Sequence, residues 1–205
     1  RLKSLAYLLQ EKGYDVWIGN NRGSKFSSKH VSKNPKDVKG DFWGFSLDDF
    51  AKYDITAEIN YITKRSGAKK VHFVGYSEGT TLLLMLYMDN PQFVESSINK
   101  FISIATVPNL SSIPLSISES IDKICDYLEI AEPFTKAFQI SDSIRTTLVK
   151  SVKSNPKYFV KKFKEDGSIT NKTDSEAIAF FLSHYPTDTS IYHLYQWEKI
   201  QEEKK

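Results

Sequence analysis

The fold is decided by residues 71–84, VHFVGYSEGTTLLL, in which one apolar run passes through a glycine-containing turn into another. Val71 to Val74 predicts a short buried strand. Thr80 to Met88 predicts a strongly apolar helix, which stops before Pro91. A strand that leads directly into a helix is typical of α/β folds built on a parallel sheet.

The sequence on either side continues this alternation of helix and strand. Before it, a helical pattern ends at Gly13, and Tyr14 to Ile18 predicts another short buried strand. A capping-box pattern at Ser46 opens a helix that Gly67 closes. The apolar face of that helix consists of Phe50, Ala51, Ile55, Ile59 and Ile62. Phe101 to Ala105 predicts a further buried strand, so we expect a parallel sheet that is covered on both faces.

The character of the chain changes after Val107. From there to Trp197 the patterns are helical, and no clear strand pattern occurs. Capping boxes at Ser116 and Thr173 mark further helix starts. This half of the chain is therefore expected to form a helical insertion or a second lobe.

Composition excludes several classes of protein. In 205 residues, 28 Lys and Arg against 25 Asp and Glu give a net charge of +3, too small to favour a nucleic-acid partner. The single Cys125 excludes an internal disulfide framework and a cysteine-rich zinc site. The longest apolar run, Leu82 to Met88, is far shorter than the roughly 18 residues of a transmembrane segment. No metal-ligand motif and no phosphate-binding glycine loop is present, so neither a metal nor a cofactor is expected.

The pentapeptide Gly75-Tyr76-Ser77-Glu78-Gly79 matches the G-x-S-x-G pattern of a serine nucleophile. A serine on a sharp turn between a strand and a helix stands clear of the backbone. Side chains at the two glycine positions would collide with such a turn. The backbone N–H of Glu78, at the start of the helix, is then placed to donate to an oxyanion. The alternative is a tight strand-to-helix turn that merely happens to hold a serine.

A nucleophilic serine needs a base and an acid that orients the base. The four histidines of the chain are His30, His72, His184 and His193. His72 precedes the serine in a predicted buried strand and fits a packed core histidine, whereas His30 lies in a basic surface loop. His184 and His193 follow the serine, as this order of triad requires, but they fall in the helical half with no strand end to hold them. The sequence therefore singles out Ser77 without identifying its base.

Several segments resemble the acid lipase family, which comprises the gastric and lysosomal acid lipases with their sterol-esterase relatives. The matching segments in the first half are LAYLL (5–9), GYDVWIGNNRG (13–23), FWGFS (42–46), AKYD (51–54) and VGYSEGTT (74–81). Those in the second half are HYP (184–186), TS (189–190) and QW (196–197). The resemblance is dense up to residue 107 and thin from 108 to 182. Tyr76 and Glu78 depart from it, since the family usually has His and Gln at these positions.

The resemblance implies a partial α/β-hydrolase parallel sheet with a helical cap, or lid, inserted into it. Residues 1–107 would form the partial core with the nucleophile elbow, 108–184 the cap, and 185–205 the start of the return to the core. In the family, another strand lies between those matching Tyr14–Ile18 and Val71–Val74, and its sequence precedes the segment matched here. The catalytic acid and base follow the matched segment. We therefore expect a fragment, inactive by itself, whose acid and base lie outside this chain.

The predicted cap contains aromatic and basic side chains that fit either a contact with lipid or ordinary structural roles. Its aromatic residues fit either a lipid-facing wall or ordinary helix packing, and they are Phe134, Phe138, Tyr158, Phe159, Phe163, Phe180 and Phe181. Its lysines could make a transient contact with a lipid interface, although Pro156 interrupts the run and a solvated face is the alternative. They are Lys150, Lys153, Lys157, Lys161, Lys162 and Lys164. Sequons at Asn109 and Asn171, together with the resemblance, imply the secretory pathway with a lysosomal or extracellular destination.

A separate loop follows the predicted strand at Tyr14–Ile18 and contains Arg22. An arginine in this position is expected to anchor a loop carboxylate such as Asp48 or Asp54. That role is structural and independent of the serine.

Two functions are compatible with these features. The first is a serine carboxylic-ester hydrolase that forms an acyl-enzyme on Ser77 and takes a lipid ester as its substrate. The second is a non-catalytic α/β-hydrolase-like protein that binds lipid or serves as a scaffold. The departures at Tyr76 and Glu78 and the missing triad partners motivate the second function.

Overall fold

The computed structural model describes residues 4–107, 126, 128, 130, 132–165 and 173–202, which belong to two compact units. The first unit comprises Arg1–Arg22 and Leu47–Pro108. The second comprises Gly23–Ser46 and Asn109–Lys205. The capping box at Ser116, both sequons and Cys125 lie outside the described residues.

Residues 23–46 belong to the second unit, whereas the division expected from the sequence grouped them with the first. Hydrogen bonds hold this segment within the second unit. The carbonyl of Val38 accepts from the backbone N–H of Lys136 over 2.6 Å and from the hydroxyl of Thr135 over 3.5 Å. Trp43 is only 1% exposed, so the end of the segment contributes to a core, whereas no residue from Lys25 to Gly40 is buried.

The first unit contains a two-stranded parallel sheet with helices packed against it. Its elements, in chain order, are α1 (Leu5–Glu11), α2 (Leu47–Asp49), a π-helical stretch (Phe50–Ile55), α3 (Thr56–Ser66), β1 (Val71–Tyr76), α4 (Glu78–Asp89), α5 (Pro91–Ser97) and β2 (Ile98–Ile104). In the β1–β2 ladder, Gly75 lies opposite Ser103 and Tyr76 lies opposite Ile104. The helices α4 and α5 connect the two strands. The predicted parallel strand–helix–strand order is therefore confirmed.

The helix predicted to begin near Ser46 is present, and most of its predicted apolar face is buried. The side chains that are at most 5% exposed are those of Phe50, Ala51, Ile55 and Ile59. The π-helical stretch was not predicted, because its longer i→i+5 hydrogen bonds leave no mark on the apolar periodicity. Gly67 ends α3 with a φ of +73°, and its N–H donates to the carbonyl of Thr63 over 3.0 Å.

The prediction of a buried strand at Tyr14–Ile18 is wrong. The segment forms no ladder with any described residue, and Tyr14 and Ile18 are 56% and 75% exposed. An apolar run becomes a strand only where a neighbouring strand accepts its backbone hydrogen bonds. The described part of the chain places no strand beside this one, so the segment stays extended and exposed.

The prediction of a sheet covered on both faces is also wrong for the described residues. Along β1, His72, Val74 and Tyr76 are exposed, while Gly75 is buried and Phe73 is half-buried. The exposed fraction reaches 40% at Val74 and 71% at Tyr76. His72 is thus an exposed strand residue and not the packed core histidine that the sequence suggested. Each strand has one ladder partner here, and its outer face has no described layer over it.

The second unit is mainly helical. Its elements, in chain order, are a 3₁₀ turn (Asp41–Trp43), β3 (Ala137–Phe138), α6 (Asp142–Ser154), α7 (Pro156–Glu165), α8 (Ser175–Leu182), β4 (Thr189–Ser190) and α9 (Ile191–Glu202). The antiparallel β3–β4 pair was not predicted, because two-residue strands are too short to show alternation. The N-cap residue of α8 is Asp174, whose carboxylate accepts from the N–H of Ala177 over 2.8 Å. The N-cap therefore lies one residue later than predicted, and the reciprocal Glu or Gln of a capping box is absent because N3 is Ala177.

Six of the seven aromatic residues of the predicted cap fall into two groups, and the seventh, Phe138, is half-buried in β3. Phe159 and Phe163 pack against the buried cluster of Val152, Ile178 and Ala179, as ordinary helix packing predicts. The exposed aromatic residues, at 47–70% exposure, are Phe134, Tyr158, Phe180 and Phe181. The lysines of α7 are exposed. Within the described residues, no helix is both long and apolar enough to cross a bilayer.

Candidate active site

Ser77 lies between the end of β1 and the start of α4, in a backbone conformation that few L-residues adopt. Its φ of 49° and ψ of −116° lie outside the helical and strand regions. A conformation of this kind persists only where the surrounding structure holds it, and such residues are concentrated at functional sites. Ser77 is half-buried, at the surface of its unit. This is the sharp strand-to-helix turn that the sequence pattern requires.

Three hydrogen bonds fix the backbone of Ser77. Its N–H donates to the carbonyl of Ile104, at the end of β2, over 2.9 Å. Its carbonyl accepts from the N–H of Thr80 over 2.9 Å and from the hydroxyl of Thr80 over 2.6 Å. Both sides of the strained residue are therefore tied, one to the neighbouring strand and the other to the first turn of α4.

The two glycines of the pattern have different structural roles. A Cβ at Gly75 would lie 2.9 Å from the backbone of Gly79 and Thr80, closer than packed atoms approach. A Cβ at Gly79 would have no atom of the described residues within 4 Å. The predicted collision is therefore confirmed at Gly75, and at Gly79 it does not occur with any described residue.

Glu78 is the first residue of α4, where an oxyanion donor is expected. The N–H groups in the first turn of a helix point outward along its axis, toward the positive end of the helix dipole. The residue thus lies directly beside Ser77 with its backbone at a position suited to anions. Its role as an oxyanion donor remains a prediction.

One of the four histidines belongs to the first unit, which contains Ser77, and the other three belong to the second. His72 is the only histidine in the residue ranges of the first unit, and it lies on the exposed side of β1. His193 is buried in the second unit, where Nδ1 is 3.0 Å from the hydroxyl of Thr189 and Nε2 accepts from the indole of Trp197 over 3.2 Å. Both of its ring nitrogens are engaged within its own unit. His184 Nδ1 lies 2.7 Å from the hydroxyl of Ser183 and 3.0 Å from the carbonyl of Phe180, and the centroids of the Phe180 and His184 rings are 4.7 Å apart.

His30 is also in the second unit. Its Nδ1 accepts from the backbone N–H groups of Ser32 and Lys33 over 3.1 Å and 2.9 Å. It therefore stabilises its own loop. Among the described residues, no group of three His, Cys, Asp or Glu side chains is arranged as a metal site.

A second ordered loop in the first unit is centred on Arg22. Nε of Arg22 donates to Asp54 over 2.8 Å, Nη2 lies 2.7 Å from the same carboxylate, and the Arg22 backbone N–H donates to it over 2.9 Å. Asp49 is further away, with 3.9 Å between its Oδ1 and Nη1 of Arg22. The expected anchoring by Arg22 is confirmed for Asp54.

Glu58 holds the same loop from α3. Its carboxylate accepts from the backbone N–H of Asn20 over 2.8 Å. Burial is the main cause that raises the pKa of the Glu58 carboxyl above its usual value. The hydrogen bond from Asn20 lowers this pKa and the charge of Asp54 raises it, both less strongly than burial. The loop is thus held by ionisable groups.

Sequence reasoning missed two residues at the serine turn. Thr80 is completely buried and contacts both Ser77 and Val107. Ala105, just after β2, has a φ of 49°, which is uncommon for a residue other than glycine. The only signal in the sequence was a pair of threonines, Thr80 and Thr81, in an otherwise apolar helix.

Comparison with known proteins identifies the family. A family model described as the alpha/beta hydrolase fold matches residues 2–199. The chain belongs to this family. The predicted α/β fold class is thereby confirmed, in agreement with the parallel β1–β2 pair and the connecting helices.

The most informative relatives of this α/β-hydrolase chain are lipases. Human lipase member K is 32% identical over 202 residues, which are 95% of this chain and 49% of that protein. Human gastric triacylglycerol lipase is 30% identical over 204 residues, again 95% of this chain and 49% of that protein. The rat gastric triacylglycerol lipase is 44% identical over 104 residues, 51% of this chain and 26% of that protein. The resemblance to acid lipases is confirmed, and the chain spans about half the length of the two human relatives.

Proposed function

We propose that this chain carries the nucleophile of a serine ester hydrolase that acts on lipid esters. The observation that carries the proposal is Ser77 at φ 49° and ψ −116°, between a parallel strand and the first turn of a helix. That placement, within a G-x-S-x-G pattern, is the arrangement of a nucleophile elbow. The named lipases among the relatives support a lipid ester as the substrate.

The proposed chemistry proceeds through an acyl-enzyme. Oγ of Ser77 attacks the ester carbonyl carbon, and its proton passes to a base outside this chain. The backbone N–H of Glu78 donates to the oxygen that becomes negatively charged. The tetrahedral intermediate then expels the alcohol, which takes the proton from the base. Water, deprotonated by the same base, attacks the acyl carbon, the bond between that carbon and Oγ breaks, and the base returns the proton to Oγ of Ser77 as the carboxylic acid leaves.

Site and compartment are proposed on the same basis. The relatives named gastric lipases support a secreted or lysosomal protein. The catalytic acid and base are proposed to be supplied by residues outside this chain. The exposed aromatic side chains of the helical unit, among them Tyr158 and Phe180, support a cap that contacts lipid. The proposed cap residues are 108–184.

A fluorophosphonate probe tests the proposal, because it phosphonylates activated serines. In the natural protein that carries this chain, we expect labelling that the Ser77→Ala variant loses completely. Ser103→Ala is the matched control, since it removes a hydroxyl from the β2 residue that lies opposite Gly75. Equal labelling of the Ser77→Ala variant would rule out Ser77 as the nucleophile.

A non-catalytic, lipid-binding role is the second candidate. It is favoured by the exposed position of His72 and by the engagement of both His193 ring nitrogens within the second unit. The same protein would then bind fluorescent lipid vesicles and leave the probe unreacted. Vesicle binding without labelling supports this role, and labelling at Ser77 excludes it.

A further inference from the structure

Two consecutive threonines of α4 bind the backbone N–H and the backbone carbonyl of one residue beyond β2, Val107. The backbone N–H of Val107 donates to the hydroxyl oxygen of Thr80 over 3.1 Å. The hydroxyl of Thr81 donates to the carbonyl of Val107 over 2.7 Å. Val107 is thereby held by its N–H and its carbonyl, and the end of the β2 region is fastened to the helix that follows the serine.

The hydroxyl of Thr80 has a second partner, and this partner is the serine itself. It donates its only proton to the carbonyl of Ser77 over 2.6 Å and accepts from Val107 with a lone pair. One donor and one acceptor function are both used, which satisfies a hydroxyl that is fully buried. Valine, which has the same shape as threonine, offers neither function.

The resulting network surrounds two strained residues. Ser77 and Ala105 both have a φ of 49°, and they are the two non-glycine residues with positive φ among the described residues. The N–H of Ser77 binds the carbonyl of Ile104, the residue directly before Ala105. The network therefore supports both residues, and the Thr80 hydroxyl links the two chain segments that contain them.

We propose that Thr80 is a positioning residue for the nucleophile: its buried hydroxyl, shared between the Ser77 carbonyl and the Val107 N–H, keeps Ser77 in the strained conformation that presents Oγ. This inference rests on the proposed function of Ser77. Loss of the hydroxyl leaves the Ser77 carbonyl with only the N–H of Thr80 as a donor and removes the link to Val107, so the turn can relax. The reaction rate of Ser77 then falls, while the surfaces that bind substrate are unchanged.

The test compares variants of the natural protein in two assays. The first is the second-order rate constant for fluorophosphonate labelling, and the second is hydrolysis of a p-nitrophenyl ester, from which kcat and KM are separated. Thr80→Val keeps the β-branched shape and removes the hydroxyl. Thr80→Ser keeps the hydroxyl. Thr63→Val is the matched control, because Thr63 makes a comparable bond to the carbonyl of Ile59 within α3, away from the serine.

We expect Thr80→Val to lower the labelling constant and kcat by roughly tenfold or more, with KM changed by less than about twofold. Thr80→Ser should restore both rates to within about threefold of the unmodified protein, and Thr63→Val should leave them unchanged. A folded Thr80→Val variant that is labelled at the unmodified rate overturns the inference. So does a parallel rise in KM at constant kcat, because that result assigns Thr80 to substrate binding.

A second pair of variants covers the case in which the valine variant does not fold. Thr80→Ser and Thr80→Ala differ only by the hydroxyl group, so a labelling constant roughly tenfold higher for serine supports the inference. Equal constants overturn it. Failure of both the alanine and valine variants to fold also overturns it, because the hydroxyl then serves folding. Absence of labelling in the unmodified protein overturns the proposed function, whereas full labelling of Thr80→Val overturns this inference alone.

Discussion

Two loops of the first unit are held in place by opposite kinds of chemistry. The turn at Ser77 is fixed by uncharged groups, namely backbone amides and the hydroxyl of Thr80. The loop at Arg22 is fixed by charged groups, the carboxylates of Asp54 and Glu58. The shape of the serine turn is therefore independent of the ionisation of its supports, while the Arg22 loop depends on pH and on salt.

The uncharged supports of the serine turn suit the chemistry proposed for Ser77. A nucleophile must keep its geometry while protons move around it, and uncharged supports do not titrate at working pH. Charged supports give the Arg22 loop stronger single contacts, because hydrogen bonds to ionised groups contribute more than neutral ones. Substitutions in each loop, followed by measurements of stability and of labelling at Ser77, distinguish the contributions of uncharged and charged supports.

The largest effect is expected for Gly75→Ala. The added Cβ would lie 2.9 Å from backbone atoms of Gly79 and Thr80, so the turn itself must move. We expect a loss of about 1–3 kcal/mol in the free energy of unfolding. We also expect a labelling constant at Ser77 that is lower by roughly a hundredfold. Denaturant unfolding and probe kinetics measure the two effects.

Gly79→Ala is the matched control for that prediction. The added Cβ meets no described atom within 4 Å, and the residue lies in α4, where alanine is the better helix former. We expect unchanged or slightly increased stability and a labelling constant within about threefold of the unmodified protein. Equal effects of the two substitutions would contradict the assignment of different roles to the two glycines.

A smaller loss of stability is expected for Asp54→Ala in the Arg22 loop. The substitution removes the carboxylate that binds the side chain and backbone of Arg22, and that carboxylate is only 13% exposed. We expect the free energy of unfolding to fall by about 2 kcal/mol. The matched control is Glu165→Ala, which removes a 3.7 Å ion pair with the exposed Lys161 and should cost about 0.5 kcal/mol or less. Comparable losses for both variants would show that the Arg22 contacts contribute no more than a surface pair.

The smallest effect is a pH dependence that comes from Glu58. Because its pKa is raised in the folded protein above the usual 4.5, the folded state holds this proton to higher pH than the unfolded state does. The contribution of Glu58 to stability is therefore present below pH 4.5 and is lost as the pH rises through the raised pKa. Glu58→Gln keeps an acceptor for Asn20 and removes the titration. We expect this variant to gain stability relative to the unmodified protein between acid and neutral pH, measured by urea unfolding.

Glu11→Gln is the control for the pH experiment, because Glu11 is an exposed carboxylate at the end of α1. The gain in stability with rising pH should be larger for Glu58→Gln than for this control. If the difference in the free energy of unfolding between Glu58→Gln and the unmodified protein did not change with pH, burial of the Glu58 carboxyl would be contradicted as a cause of pH dependence.

The serine turn could be predicted from the sequence because its determinants are local. Gly75 and Ser77, with a strand before them and a helix after them, are sufficient to specify the turn. The strand predicted at Tyr14–Ile18 failed because a strand needs a partner, and no described strand lies beside it. An apolar run carries no information about whether that partner is present.

Other features depended on geometry that a periodic pattern does not contain. The π-helical stretch at Phe50–Ile55 changes the phase of the helix, so the sequence left open which carboxylate would face Arg22. Thr80 looked like an ordinary helix residue, because its two partners are distant or strained backbone groups. Contacts of this kind become visible only when the positions of β2 and α4 are known.

The most direct test of the central claim is to locate the phosphonyl adduct by mass spectrometry. The tryptic peptide 71–100 contains Ser77 and two further serines, Ser96 and Ser97, which serve as internal controls. After reaction of the natural protein with the fluorophosphonate probe, fragment ions should place a single adduct on Ser77. An adduct on any other residue, or an unmodified peptide after complete reaction, would contradict the assignment of Ser77 as the nucleophile.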